Sequence, residues 1–166
     1  MRAAALRILR TVNGPLASAT RAVVVVAVAV MLVSLGAQVV TRYVFSMALS
    51  WSEELSLLLF TWVVLLASAL GVREGFHVRM DLIADRLPPL ARNALAHVIQ
   101  VVVLVAGAFL CWHGWRYVMA TRGSVSAATG YPIELLHLAA PVGGLLIALF
   151  AVERMIDPLP PAAKSP

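Results

Sequence analysis

The sequence predicts an all-α membrane protein with four transmembrane helices and a short cytoplasmic amphipathic helix between the second and third. Three observations carry this. Four long apolar stretches, at roughly residues 22–40, 55–72, 94–119 and 133–152, fill most of the 166-residue chain. Each is near or above the roughly 20 residues that a helix needs to cross about 30 Å of hydrocarbon. Hydrophobic residues make up 61% of the chain and charged residues only 13%, with the charge lying outside the four stretches except for Arg116 and Glu134, near the ends of the last two. In lipid each segment must satisfy its own backbone hydrogen bonds, so the spans are read as helices.

The gaps between spans fix an expected orientation. Arg2, Arg7, Arg10, Arg21, Arg73, Arg79, Arg86, Arg92, Arg154 and Lys164 fall on one side; Arg42, Arg116 and Arg122 fall on the other. Basic residues hold loops in the cytoplasm, so both termini are expected inside, with the first and third loops outside. The formal net charge of +5 is thereby read as topology, and nucleic acid is not expected as a partner. Tyr43, Phe45, Trp51, Trp112, Trp115, Tyr117 and Tyr131 lie near the two outer loops, where aromatic residues favour the membrane–water boundary. Trp62 lies deeper and is read as a packing residue.

Residues 1–21 read as a basic cytoplasmic tail, with Gly14-Pro15 as a breaker. The first span is longer than the apolar core of a signal peptide and is read as retained. Ser34, Gln38 and Thr41 recur at helical spacing near its outer end as an interhelical packing stripe. After a short loop, Ser50-Trp51-Ser52-Glu53 matches a capping box, in which the Ser50 hydroxyl and the Glu53 carboxylate each take an amide of the other residue. Glu53 and Glu54 also suit the positive end of the helix dipole. Capping accounts for Glu53 more fully than for Glu54.

The second gap is the most charged part of the chain. Phe76, Met80, Ile83 and Leu87 share one helical face, with His77, Asp81 and Asp85 opposite, as in a helix lying on the membrane surface against lipid. Pro88-Pro89 then opens the third span, long enough to tilt or project. Asn93, His97, Gln100, Gly107, Cys111 and Gly114 share a face of it. In the fourth span Ala140, Gly144 and Ala148 form a small-residue ridge for close helix packing, and Pro141 predicts a kink. The transmembrane domain is thus 22–153, and 154–166 is a Pro-rich C-terminal tail, disordered from residue 157 on.

Chemistry is sparse. The lone Cys111 rules out an intrachain disulfide. No phosphate loop, zinc signature or nucleophile motif is present, so no enzyme activity, metal or cofactor is expected. His113 and His137 lie at similar depth on neighbouring spans, which makes a haem-binding electron-transfer protein the alternative reading. No Asp, Glu, Lys or Arg lies mid-membrane, which argues against a transport path through this chain alone.

The run Arg42-Tyr43-Val44-Phe45 followed by Ser50-Trp51-Ser52-Glu53-Glu54 resembles the first outer loop of the small membrane subunit of TRAP transporters, the tripartite ATP-independent periplasmic uptake systems. The inner run Arg73-Glu74-Gly75-Phe76-His77-Val78-Arg79-Met80-Asp81 with Leu87-Pro88, and the late Pro141-Val142-Gly143-Gly144 and Glu153-Arg154, resemble the same family. The resemblance implies a scaffold subunit of the bacterial inner membrane. It would bind a large membrane subunit that moves a solute, often a carboxylate, on a sodium gradient after delivery by a periplasmic binding protein. It marks Arg42, Trp51, Glu53, Glu54, Arg73, His77 and Asp81 as the expected subunit interface.

Overall fold

The computed structural model describes residues 2–47, 49–75 and 88–156. The expected amphipathic helix, with His77 and Asp81, and the Pro-rich run 157–166 lie outside the described residues. Among the described residues five helices follow one another: α1 (Arg2–Phe45), α2 (Ser50–Glu74), α3 (Pro89–Ala120), α4 (Glu134–His137) and α5 (Ala139–Ile156). Among the same residues four segments are long and apolar enough to cross a membrane, with α4 and α5 together forming the fourth, Glu134–Ile156.

The helices pack as an open row in the order α1–α2–α5–α3. The closest packing is α3 on α5, then α1 on α2 and α2 on α5; α1 meets α5 only lightly, and α3 has no extended contact with α1 or α2. Burial follows position in the row. The inner members have 33% (α2) and 39% (α4–α5) of their apolar window buried, against 11% for each of the flanks α1 and α3. The core lies along α2 and α5, around Leu66, Ala69, Leu70, Leu146, Phe150 and Ala151.

Small residues set the α3–α5 seam. A Cβ built on Gly107 would come within 2.9 Å of the Ala148 nitrogen and the Gly144 oxygen. One on Gly144 would come within 2.5 Å of the Cys111 nitrogen, and one on Gly114 within 2.9 Å of Ala140 Cβ. The ridge Ala140–Gly144–Ala148 therefore runs along Gly114, Cys111 and Gly107. Gly143 faces the other way, toward Leu65 of α2.

Two local expectations are corrected. Gly14-Pro15 does not break the chain: α1 runs unbroken through Pro15 from Arg2 to Phe45. A proline removes one backbone hydrogen bond, and the flanking turn is held by packing, with Asn13, Ala17 and Thr20 buried against the row. The second correction is the capping box. Leu49, in extended conformation, is the N-cap of α2, and no side chain caps it. Ser50 is already inside the helix, and the Glu53 carboxylate is bound by α1 instead. The fourth span is interrupted as Pro141 predicts: regular helix stops at His137 and resumes at Ala139, which puts Pro141 in the first turn of α5.

Candidate functional site

The polar groups gather in two layers at opposite ends of α2. Glu54 and Arg73 are 19 residues apart, about 28 Å along a helix, which is close to the thickness of a hydrocarbon core.

The first layer surrounds Ser52, Glu53 and Glu54. Successive helical residues point about 100° apart, so these three address different neighbours. The buried Ser52 Oγ donates to the Ser34 carbonyl of α1 at 2.9 Å. Gln38 Nε2, one turn further along α1, donates to Glu53 Oε1 at 2.8 Å. Glu54 turns to the α3–α4 connection. Its Oε1 accepts the Ala128 amide at 2.9 Å. Its Oε2 accepts the Thr129 amide at 3.1 Å, Thr129 Oγ1 at 2.8 Å and the Ser126 hydroxyl.

The connection is built to present those donors. Val125 and Pro132 form an antiparallel bridge. The Ser126 amide donates to the Tyr131 carbonyl at 2.9 Å, and Gly130 donates back to Ser126 O at 3.2 Å. Gly130 closes this turn at φ 69°, a conformation that suits glycine. At the base Glu134 Oε1 accepts the Gly123 amide at 2.7 Å. Burial and then the Glu54 charge push the Tyr131 phenol above its ordinary pKa.

The second layer joins α1, α2 and α5. Glu153 is buried; it accepts Asn13 Nδ2 at 2.8 Å and lies 3.5 Å from Arg73 Nε. The Arg73 guanidinium also stands 5.7 Å from the centre of the Phe150 ring. Arg154 donates to the Arg73 carbonyl. Arg21 pairs with Glu74, and Gly75 ends α2 in the left-handed conformation at φ 78°, its amide on the Gly71 carbonyl.

Of the residues singled out in the sequence, Arg42, Trp51 and Glu53 are exposed. Glu54 and Arg73 are engaged inside the chain. Sequence reasoning missed Asn13 and Glu153. A signal for Glu153 existed: an acid in the last turn of a helix opposes the dipole and calls for a cation nearby. The donor-rich run 124–129 was a comparable signal opposite Glu54.

The bis-histidine alternative finds no support. His113 is exposed and stacks on Phe109, one turn away, with ring centres 4.0 Å apart. His137 bonds Thr121 Oγ1 through Nδ1 at 2.8 Å and packs on Tyr117. Each ring is engaged by a different neighbourhood. Among the described residues no three or more His, Cys, Asp or Glu side chains gather to hold a metal.

Comparison with known proteins agrees with the fold. The chain is 26% identical over 120 residues to the sialic acid TRAP transporter small permease protein SiaQ of Vibrio cholerae, covering 72% of this chain and 69% of the relative. It is 26% identical over 144 residues to the ectoine TRAP transporter small permease protein TeaB of Halomonas elongata, covering 86% and 75%. It is also 31% identical over 121 residues, 73% of this chain, to the sialic acid TRAP transporter permease protein SiaT of Haemophilus influenzae, of which that match covers only 19%. The family described as "Tripartite ATP-independent periplasmic transporters, DctQ component" matches residues 31–160, well over half of the sequence. Four apolar spans, the close α3–α5 seam and this match together assign the chain: it is a multi-pass membrane protein and belongs to the small membrane component family of TRAP transporters.

Proposed function

We propose that this chain is a scaffold that binds the large membrane subunit of a TRAP transporter and supports sodium-driven uptake of a carboxylate-bearing solute. The solute is delivered by a periplasmic binding protein. The chain sits in the bacterial inner membrane with both termini in the cytoplasm, and it acts by binding, not by covalent chemistry. The observation that carries this reading is the open row. Its two flanks leave apolar side chains such as Val26, Val33, Val102 and Phe109 exposed along their length, while its polar groups tie the chain to itself at both ends. A row of four spans offers broad faces for a second membrane protein. Support also comes from the match to one part of the much longer SiaT permease, a relative in which the small part is joined to further chain. The named solutes of SiaQ and SiaT (sialic acid) and TeaB (ectoine) each carry a carboxylate.

In this reading Arg42, Trp51 and Glu53 contact the large subunit directly, as do His77 and Asp81. Glu54 and Arg73 contribute by holding the two ends in shape, and the Ala140–Gly144–Ala148 ridge keeps α5 on α3. The test is co-purification from native membranes together with reconstitution. The large subunit is expected to come with the tagged chain, and solute uptake into liposomes is expected only when both subunits and the binding protein are present. Sodium-driven uptake by this chain alone would overturn the scaffold reading.

A further inference from the structure

The flanks of the row have no extended contact with each other, so something else must set their spacing. At the end bearing the α1–α2 turn, the tripeptide Ser52-Glu53-Glu54 reaches both sides. Ser52 and Glu53 hold α1 through Ser34 and Gln38, and Glu54 holds the 121–133 connection that leaves α3. We propose that Ser52-Glu53-Glu54 is a positioning clasp that presents α1 and the 121–133 connection to the large membrane subunit as one surface. This rests on the scaffold reading for its partner but not for its geometry.

The chemistry at Glu54 demands a carboxylate. One oxygen takes the backbone amide of Ala128 and the other that of Thr129, and neither donor can be reversed. A glutamine in this place would set its NH2 against one backbone N–H whichever way its amide was turned. An ionised acceptor also strengthens each of these bonds. The hydroxyls of Ser126 and Thr129 are secondary, since they can rotate to other partners. The clasp assigns different duties to adjacent acids: Glu53 governs the α1 side and Glu54 the connection side.

Pulsed EPR on the lone chain in nanodiscs tests this, in a Cys111→Ala background. Labels at Val39 and Leu57 report α1 against α2; labels at Leu57 and Val125 report α2 against the connection. Glu54→Gln should broaden the second distance distribution and leave the first narrow. Gln38→Ala should do the reverse. Glu54→Asp, which keeps an all-acceptor group, should fall between Glu54→Gln and the parent, and Ser126→Ala should broaden less than Glu54→Gln. Co-purification with the large subunit should fall in parallel. An unchanged Leu57–Val125 distribution in Glu54→Gln, or equal broadening of both distances, would overturn the clasp. Broadening with undiminished co-purification would overturn its positioning role. Failure of the parent chain to bring down the large subunit would instead defeat the scaffold reading, while the distance measurements would still decide the clasp.

Discussion

Gly144 stands where α5 lies so close to α3 that any side chain would meet backbone, the Cys111 nitrogen at 2.5 Å and the Gly107 oxygen at 2.7 Å. Backbone cannot step aside as a flexible side chain can, so Gly144→Ala must push the helices apart. Overpacking of this kind costs about 1–3 kcal/mol, and Gly144→Val should cost more. Gly36, in open space on α1 with nothing within 4 Å of its built Cβ, is the control. Gly36→Ala should leave the thermal unfolding midpoint in detergent unchanged or slightly raised, whereas Gly144→Ala should lower it. Glu153 gives a second residue-scale expectation. Glu153→Ala leaves Arg73 without its acid partner and Asn13 without an acceptor; breaking a buried pair costs about 3–5 kcal/mol. Arg73 keeps 26% of its side-chain surface exposed and retains Phe150, so the lower end of that range applies. Asn13→Ala removes one hydrogen bond from a carboxylate that still has Arg73, and should cost about 1–3 kcal/mol. Denaturation of the two variants in parallel checks the order. Spacing alone singled out Ala140, Gly144 and Ala148, because period-four small residues are visible in one segment. Asn13 and Glu153 are 140 positions apart, and no local pattern joins them.

At the scale of elements, hydropathy located the spans well and their ends poorly. A span begins where lipid begins, but a helix ends where its backbone loses partners, and those differ. The first apolar stretch starts near residue 22, yet α1 is helical from Arg2, because its earlier turns have side chains to pack. Ala17 joins the hydrophobic core, Asn13 bonds Glu153, and Arg21 pairs with Glu74. The start of α2 misled the reading for a related reason. Ser50 and Glu53 have the spacing of a capping box, but Gln38 on α1 competes for the carboxylate, and a tertiary partner replaced the local one. Truncation tests the element directly. A chain begun at Ala22 loses Asn13, Ala17 and Arg21 together and should show a lowered unfolding midpoint and poorer yield. A chain begun at Thr11 retains all three and should lie much closer to the full-length protein. Equal stability of the two truncations would show that residues 13–21 contribute nothing to the row.

For the whole molecule, the two polar layers and the spacing between them give the proposed orientation two ends to tell apart. The Ser52–Glu54 layer and the Asn13–Arg73–Glu153 layer are separated along α2 by about the thickness of the hydrocarbon, so each lies at a membrane boundary. The open row was not legible in the sequence. Each span has an apolar surface nearly all round, and hydropathy cannot tell a lipid-facing valine from one that awaits a protein partner. Only the glycine seam hinted that α3 belongs beside α5. The proposed orientation, by contrast, rests on the ten-to-three imbalance of basic residues and puts the layer with Asn13, Arg73 and Glu153 on the cytoplasmic side. On that orientation Val125, 64% exposed in the α3–α4 connection, is expected to face the periplasm, and Pro88, exposed before α3, the cytoplasm. Single cysteines at these two positions, in a Cys111→Ala background, should separate cleanly. With the outer membrane permeabilised and the inner membrane intact, an impermeant maleimide should label the cysteine at 125 and spare that at 88. After lysis both should react. Labelling at 88 and not at 125 in intact cells would invert the orientation, and would place the Glu54 clasp on the cytoplasmic face, away from any periplasmic binding protein.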